Sequence, residues 1–430
     1  MTAHKLKRQL YRHGSLVFLL IGLLLFLTLA PPAAPDERSP ALPAAADSQS
    51  PVPPAPDTAA KAVAVLDRNS GRFIYTKNPD MELPMASTTK MMTALLIAED
   101  GHNMNDMVTC SERCATIGES SIYLTQGESL TVRQMLYGLL LPSGNDAAIA
   151  LAEYDAGSVE AFVAKMNRRA AELGMTHTHF VTPHGLDEPG HYASAEDLAR
   201  LGAQVMKHKQ LREIVKTQVK NIPGYGSPTG RTLININHLL KYPYVDGIKT
   251  GYTDNAGECI VVSAEQNGVS LVIVYLGGPT LAQRDQDVYN LIQYGFANYS
   301  DRTVIQAGKQ YASLSVPYSH GKKLALISAG SLTKRLFNGD QVQNRLVLPS
   351  EPALPVRKGD KVGLVEAFDG STMLGSTYLV AANDAPAPSL SDRIFNDLSS
   401  VFHVFGAALR VPGVTGLGLA QALAGGFLVR

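Results

Sequence analysis

The 430-residue sequence contains no tryptophan, only three cysteines and no net charge. Lys and Arg total 38, as do Asp and Glu, so no overall field attracts a polyanion and we expect no nucleic-acid partner. The cysteines are too few for a disulfide-rich scaffold, and no CxxC or Cys/His finger spacing occurs. Charged residues make up 18% of the chain and hydrophobic residues 45%, which is enough to bury large cores. The length favours two domains over one.

Long apolar runs are confined to the two ends of the chain. Basic residues within the first fourteen positions precede an uncharged run over 15–30, so 1–30 is interpreted as a signal peptide or signal-anchor. The Pro/Ala-rich stretch 31–58 predicts an extended linker. In 387–430, apolar residues recur at helical spacing from Ile394 to Leu409, which predicts either membrane association or docking on the protein itself. We expect an exported protein, with cleavage after 1–30 left open.

Between these ends the hydrophobic pattern changes twice. A hairpin pattern over 61–77 comes first, and strand patterns return at 245–250, 258–264 and 269–276 before a closing helix at 286–296. Helical periodicity fills the middle, at 88–99, 132–140, 146–153, 159–173 and 195–207. This order predicts an α+β domain over 59–299, with a helical block and an antiparallel sheet built from both ends of the segment. Short alternating runs over 300–386 predict a small all-β domain of sandwich type.

A serine and a lysine one helical turn apart form the first chemical motif, Ser87-Thr88-Thr89-Lys90, at the start of an apolar helix. An uncharged lysine amine there can take the hydroxyl proton as the serine attacks a carbonyl. The helix N-terminus offers partial positive charge to the developing oxyanion. The same spacing recurs at Ser319–Lys322 and Ser331–Lys334, but in turn-rich stretches of the predicted β domain. The rigid helical context therefore selects Ser87 and Lys90.

Two further motifs lie where a cleft between helices and a sheet would need them. Ser143-Gly144-Asn145 occupies a loop between two predicted helices and offers a hydroxyl for proton relay and an amide for a carbonyl. Alternatively, Ser143 or Asn145 is only the N-cap of the next helix. Lys249-Thr250-Gly251 ends a predicted strand and suits a carboxylate, with the glycine permitting close approach. Taken singly, that triplet is also ordinary strand-to-turn chemistry.

With these three motifs and the stretches 137–152, 167–188 and 246–257, the sequence resembles the serine D-alanyl-D-alanine carboxypeptidases. These are the low-molecular-weight penicillin-binding proteins of the S11 peptidase type. The likeness is dense over about 62–299, and 303–381 resembles more weakly the β-rich domain that follows in that family. It implies a penicillin-binding/β-lactamase-like transpeptidase fold and removal of the terminal D-Ala from peptidoglycan stem pentapeptides. It further implies β-lactams as inhibitors, no cofactor or metal, and the extracytoplasmic face of the cytoplasmic membrane in the bacterial cell envelope.

The resemblance also assigns roles to individual residues. It implies Ser87 as the acyl nucleophile and Lys90 as the general base, with Ser143 and Asn145 as the second motif. Backbone N–H groups of Ser87 and Tyr252 would form the oxyanion hole. The residues that it implies for substrate binding are Lys249, Thr250, Gly251, Tyr252 and Arg284. An exposed arginine at the start of a helix, however, needs no function.

Three other functions stay open at this point. A class A-like β-lactamase needs a deacylating carboxylate, for which Glu188 is a formal candidate, but an extra β domain has no place in a stand-alone lactamase. A non-catalytic cell-wall-binding protein would keep the cleft without turnover. A zinc hydrolase would draw on a histidine-rich stretch, but no HExxH accompanies it. Those histidines are His177, His179, His184 and His191.

The cysteines carry one structural expectation. If Cys110 and Cys114 lie in a helix, they are four residues apart on one face, close enough to touch but poorly disposed for a disulfide. Cys259 follows the Lys-Thr-Gly motif on a predicted strand, where an ordinary buried thiol is expected.

Overall fold

The structure, a computed structural model, describes residues 42–43, 54–224, 227–319 and 321–393. They divide into two compact units: 54–301 with 335–339, and 42–43 with 302–334 and 340–393. Within these residues no helix is both long and apolar enough to cross a bilayer. The interpretations of 1–30 and of the apolar pattern from Ile394 onward lie outside the described residues.

The larger unit is built on one five-stranded antiparallel sheet. Two strands precede the helical block in sequence and three follow it, so the expected assembly from both ends of the segment is confirmed. The order across the sheet is Phe73–Lys77, Ala62–Asp67, Val269–Gly278, Gly257–Gln266 and Val245–Thr253. The strand that carries the Lys-Thr-Gly motif therefore forms an edge of the sheet.

Both faces of this sheet are buried, each in its own hydrophobic core. Along the strand Ala62–Asp67, side chains alternate between the two: Ala64 and Leu66 join the core of the helical block, while Val63 and Val65 join the other. The long helix Leu281–Ala297 covers the second face through its buried apolar side chains. Burial on both sides explains why these strands are nearly continuous apolar runs.

Seven helices form the block that packs on the first face. They are Lys90–Glu99, Glu112–Thr116, Val132–Leu140, Asn145–Ala156, Val159–Glu172, Ala195–Val205 and Lys209–Lys216. The sequence pattern predicted five of them. It missed Glu112–Thr116, whose five residues make too few turns to show a period. It also missed the eight-residue helix Lys209–Lys216, in which only Leu211, Ile214 and Val215 are buried. A 3-10 turn, His238–Lys241, precedes the motif-bearing edge strand.

Two small hairpin-like sheets complete the larger unit. Met107–Thr109 pairs with Ser129–Thr131, and Val219–Gly224 pairs with Ser227–Ile234. Neither pair was anticipated, because the first is three residues per strand and the second is interrupted by proline and glycine.

The smaller unit is built from β-strands, as expected, and a helical turn at 390–393 ends its described residues. Its main sheet has the order Leu42–Pro43, Val342–Val347, Lys361–Asp369, Thr372–Ala381, Lys323–Ser328 and Gln310–Ser315. Strand Val342–Val347 alternates strictly between buried and exposed residues, as a half-buried strand should. Tyr299–Ile305 and Leu332–Phe337, which the pattern did not reveal, form a separate two-stranded sheet, and each strand has residues in both of the ranges given above. Two residues of the predicted linker, Leu42–Pro43, thus pair at an edge of the main sheet.

The expectation that Cys110 and Cys114 are poorly disposed for a disulfide was wrong. Cys110 and Cys114 form a disulfide, with their Cα atoms 5.5 Å apart. The helix begins only at Glu112, after Ser111 as the N-cap, so Cys110 lies in the extended chain before the helix and the geometry of two helical positions does not apply. Cys259 is a buried free thiol, as expected.

Candidate active site

The site begins with a tight turn that leads into the first helix. Residues Ala86–Thr89 form a 3-10 turn that continues directly into Lys90–Glu99. Ala86 has φ +48, a left-handed conformation that costs a non-glycine residue roughly 1–3 kcal/mol. Gly185 packs against this turn so closely that a Cβ there would lie 2.0 Å from the Ala86 carbonyl oxygen. The turn that carries Ser87 therefore packs against the backbone of Gly185, where a larger residue would not fit.

Lys90 is the centre of a hydrogen-bond cluster and has no solvent exposure. Its Nζ donates to Ser87 Oγ at 2.7 Å and to Asn145 Oδ1 at 2.7 Å. The third bond goes to the His184 carbonyl oxygen at 2.6 Å, so all three ammonium donors have partners. Burial, and then the nearby Lys249 charge, lower the pKa of Lys90 well below its ordinary value. This amine can therefore exist uncharged beside the serine hydroxyl at a much lower pH than a surface lysine.

The second motif enters from the loop before the helix Asn145–Ala156. Its N-cap is Gly144 and no side chain caps it, so the interpretation of Ser143 or Asn145 as the N-cap was wrong. Asn145 instead accepts from Lys90, while its Nδ2 donates to the Gly118 carbonyl oxygen at 3.0 Å. Ser143 has φ +73, and its buried Oγ has no hydrogen-bond partner among the described residues.

The third motif lies on the edge strand Val245–Thr253. Lys249 is 1% exposed, and its Nζ donates to the Thr250 carbonyl oxygen at 2.9 Å. Burial, together with the charge of Arg284, lowers the pKa of Lys249 to about 7. Thr250 Oγ1 is buried and, like Ser143 Oγ, lacks a partner within the described part of the chain. A buried hydroxyl left this way costs about 1–3 kcal/mol, which a bound ligand with polar groups would recover.

Gly251 and Tyr252 follow Lys249 on the same strand, and the charge of Arg284 acts on Lys249 from the helix Leu281–Ala297, but the three have different environments. Gly251 packs against the backbone of Ser87, and Tyr252 is largely exposed, its hydroxyl donating to Asp254 Oδ1 at 3.0 Å. Arg284 is buried rather than exposed, contrary to the expectation for an arginine without function. Its guanidinium donates to Glu258 and Asp285, each at 2.8 Å. Two carboxylates therefore orient it close to Lys249.

The other Ser-x-x-Lys sequences have none of this environment. Lys322 and Lys334 are both exposed, the latter on the strand Leu332–Phe337. Glu188, the carboxylate considered for a lactamase, is exposed as well, and its backbone carbonyl accepts from the His191 amide. The choice of Ser87 by its helical context agrees with these surroundings.

The clustered histidines do not converge on one point. His184 Nδ1 accepts from the Leu186 amide, and His191 binds Thr89 Oγ1 through Nε2 at 2.8 Å. Burial lowers the pKa of His184 to about 3 and that of His191 to about 4, so both rings are neutral near pH 7. In the described chain the ligand atoms of one triplet, Asp100, His102 and Asp155, lie within 4.8 Å of one another, and Lys165 forms ion pairs with both aspartates. An ammonium thus already pairs with both carboxylates of that cluster.

Three features of the site were not found from the sequence. The His184 carbonyl holds Lys90, Gly185 supports the turn at Ala86, and the Asp146 carboxylate is buried behind the second motif. A backbone carbonyl leaves no mark in a sequence. An aspartate in the first turn of a helix is so common that Asp146 did not stand out.

Comparisons with known proteins agree with this arrangement. Residues 48–280 match the family described as D-alanyl-D-alanine carboxypeptidase, and 299–387 match the penicillin-binding protein 5 C-terminal domain. The chain is 34% identical over 333 residues to the D-alanyl-D-alanine carboxypeptidase DacF of Bacillus subtilis, which covers 76% of this chain and 85% of that protein. It is 31% identical over 363 residues to the D-alanyl-D-alanine carboxypeptidase DacA of Escherichia coli K12, and this match covers 81% of this chain and 89% of that protein.

A solved structure is similar as well. Penicillin binding protein 5 from Haemophilus influenzae aligns with a TM-score of 0.57 and 31% identity. The alignment covers 78% of this chain and 100% of that chain. The family match covers more than half of the sequence, and the relatives match over most of their own length. The chain therefore belongs to the D-alanyl-D-alanine carboxypeptidase family.

Proposed function

We propose that this enzyme, a serine-type hydrolase of its family, removes the terminal D-Ala from peptidoglycan stem pentapeptides through an acyl-enzyme on Ser87. One observation carries the proposal: a fully buried lysine amine lies 2.7 Å from the serine hydroxyl oxygen. The Ser87 hydroxyl is a weak nucleophile by itself and needs a base that is uncharged near neutral pH. Lys90 meets that need because burial lowers its pKa.

In the acylation step, Ser87 Oγ attacks the carbonyl carbon of the penultimate D-Ala. Its proton passes to Lys90 Nζ, and the oxyanion is stabilised by the backbone N–H groups of Ser87 and Tyr252. The C–N bond then breaks, and the leaving amine of the terminal D-Ala takes up a proton. Ser143 is the proposed relay for that proton, because its buried Oγ has no other partner in the described residues.

Substrate binding uses the third motif together with Arg284 and Asn145. Lys249 and Arg284 supply positive charge, and Thr250 supplies a hydroxyl without a partner among the described residues, for the terminal carboxylate. Asn145, held by Lys90 and Gly118, presents its amide to the peptide backbone. In deacylation, a water gives one proton to Lys90 and attacks the ester carbonyl. Lys90 returns that proton to Ser87 Oγ as the C–O bond breaks, which releases the shortened peptide as a free acid.

β-Lactams fit the same proposal. They combine a reactive amide with a carboxylate, so the groups that hold the substrate carboxylate place the lactam carbonyl at Ser87. Peptidoglycan lies outside the cytoplasmic membrane, and the basic and apolar pattern of 1–30 supports export to that face. Among the described residues, no contact of the site favours the lactamase or the non-catalytic alternative.

The test uses the full chain in detergent with a pentapeptide ending in D-Ala-D-Ala. Released D-Ala is measured, and covalent labelling by penicillin is followed by intact mass. We expect Ser87→Ala to abolish both signals, while the matched control Ser319→Ala leaves both unchanged. Turnover by Ser87→Ala at the wild-type rate would overturn the nucleophile, and a wild type that labels but releases no D-Ala would overturn the substrate. A cross-linked muropeptide dimer in a parallel assay separates carboxypeptidase from endopeptidase action.

A further inference from the structure

The loop 117–124 lies across the start of the helix Asn145–Ala156 and determines how Asn145 is turned. The Asn145 amide N–H donates to the Ser120 carbonyl oxygen at 2.7 Å, and its Nδ2 donates to the Gly118 carbonyl oxygen at 3.0 Å. A side-chain amide offers donors on one side and an acceptor on the other. Because Gly118 takes the donor side, Oδ1 is left facing Lys90 Nζ at 2.7 Å.

A single buried carboxylate holds this loop in place. Asp146 is 1% exposed, and its oxygens accept from Ser121 Oγ at 2.6 Å and from the Ile122 and Leu124 amides, each at 3.0 Å. A further bond from the Ala147 amide, at 2.8 Å, ties the same carboxylate to its own helix. The bonds therefore join the loop to the first turn of the helix that carries Asn145.

Gly144 and Cys114 lie close to Asp146. A Cβ on Gly144 would lie 2.6 Å from Asp146 Oδ1, so only glycine leaves room for it at that position. On the other side, Cys114 Sγ lies 3.3 Å from the Asp146 backbone carbonyl oxygen, and the disulfide joins Cys114 to Cys110. Cys110 exchanges backbone hydrogen bonds with Gly127 and Glu128, in the chain that follows the loop. The disulfide therefore ties the start of Asn145–Ala156 to the chain beyond the loop.

We infer that Asp146 is a positioning residue for acylation, which keeps the Asn145 amide oxygen against Lys90 by anchoring loop 117–124. Asp146 has no contact with Ser87 and acts through Asn145 and the loop. The inference rests on the proposed function, because it assumes that Lys90 serves Ser87. It extends that function to a residue outside the three motifs.

The pH dependence of kcat/KM tests the role of Asp146, because a carboxylate that serves only stability, far from Lys90, would not change it. The ionisable groups that face Lys90 are Lys249 on the edge strand, Asp146 on the adjacent helix, Glu119 in the loop, and His184 and His191 on the segment behind it. The Lys249 charge lowers the pKa of Lys90, whereas Asp146 and Glu119 raise it. Neutralising Asp146 therefore favours the uncharged amine and moves the acidic limb of kcat/KM to lower pH.

The experiment compares Asp146→Asn with Asp197→Asn in the full chain. Asp197 is a matched control, because it is 3% exposed in the first turn of its own helix and accepts from the His177 amide and Thr178 Oγ1, each at 2.8 Å. We measure kcat and KM for the pentapeptide between pH 5 and 9, the rate of penicillin acylation, and thermal unfolding. Asp146→Asn should lower kcat/KM on the order of 10-fold or more, chiefly in kcat, and shift the acidic limb down by roughly half a pH unit.

The control should lose thermal stability but keep kcat and the acidic limb of wild type. Equal effects of the two variants on kcat and on the limb would overturn the inference, and so would wild-type acylation by Asp146→Asn. If Asp146→Asn does not fold, Ser121→Ala takes its place: it removes one donor but keeps the charge, so acylation should slow several-fold with an unmoved limb. An unchanged acylation rate in that variant also overturns the inference. Failure of wild type to release D-Ala counts against the proposed substrate alone, since penicillin acylation still tests Asp146.

Discussion

Gly251 approaches Ser87 so closely that a Cβ on the glycine would lie 2.8 Å from the Ser87 backbone nitrogen. The same Cβ would be 3.0 Å from Ala86 Cβ and 3.1 Å from the Thr88 nitrogen. The edge strand Val245–Thr253 therefore packs with its backbone directly on the turn Ala86–Thr89. The absence of a side chain at 251, and not a special φ angle, is what the site requires there.

Gly251→Ala should lower the rate of penicillin acylation on the order of 100-fold. The new methyl group pushes the strand and the turn apart, and a displacement of about 1 Å between reacting groups has an effect of that size. The matched control is Gly330→Ala, whose Cβ would meet only Thr377 Oγ1 at 3.6 Å. Acylation is followed by stopped-flow fluorescence or intact mass. A Gly251→Ala enzyme that acylates as fast as the control would contradict the packing described here.

Substrate binding should weaken as the pH rises through about 7. Lys249 has its pKa lowered to about 7 by burial and by Arg284, so it loses its charge above that pH and attracts the terminal carboxylate less strongly. KM for the pentapeptide should therefore increase on the alkaline side. Lys249→Arg keeps its charge at all these pH values, and its KM should stay flat above pH 7 even if it starts higher. A wild-type KM that is constant from pH 6 to 9 would argue against this role of Lys249.

The folded protein should lose stability between pH 6.5 and pH 4. Burial holds the pKa of His191 at about 4, whereas an unfolded histidine titrates near 6.5. The unfolded state therefore binds the proton first as the pH falls, and His191 alone lowers the free energy of unfolding by on the order of 3 kcal/mol over this range. His184 adds to the loss in the same direction, its pKa being lowered to about 3.

Urea unfolding at pH 7, 5.5 and 4.5 measures this loss. His191→Asn keeps an acceptor for the Val181 amide but does not titrate, so its stability should depend less on pH than that of wild type. His177, whose side chain is 42% exposed, provides the control, and His177→Asn should follow the wild-type curve more closely than His191→Asn does. Identical slopes for all three proteins would show that His191 is not neutral in the folded state.

The disulfide between Cys110 and Cys114 should stabilise the fold only modestly. It closes a very short loop, for which the chain-entropy estimate is about 2 kcal/mol. Cys110→Ser with Cys114→Ser should lower the free energy of unfolding by about that amount and make the unfolding curve insensitive to reductant. Thiol titration in denaturant should find one thiol in oxidised wild type and three after reduction, consistent with the single free Cys259. Three thiols before reduction would disprove the pairing.

Local patterns predicted much of the fold because local preferences dictate it. The helix Lys90–Glu99 is buried along most of its length and the sheet strands are buried on both faces, so both are long apolar runs, which a sequence records directly. The patterns did not predict short elements. The helix Glu112–Thr116 is too short to show an apolar period, and it depends on its N-cap Ser111 and on residues that pack against it.

By itself, the sequence determined where the three motifs stand and what each can do: a serine and a lysine one turn apart, a loop with a hydroxyl and an amide, and a strand ending in glycine. The tertiary structure decided how they meet. Two hydrogen-bond partners of Lys90 are distant in sequence: Asn145 is 55 residues away and His184 is 94 residues away. Such partners are chosen by packing of distant segments, and a lysine amine loses its charge only when that packing removes water from it. The environment of Asp146 belongs to the same category, since Ser121, Ile122 and Leu124 donate to it from 22 to 25 positions away. Arg284 likewise reaches Glu258, 26 positions away, in addition to its neighbour Asp285.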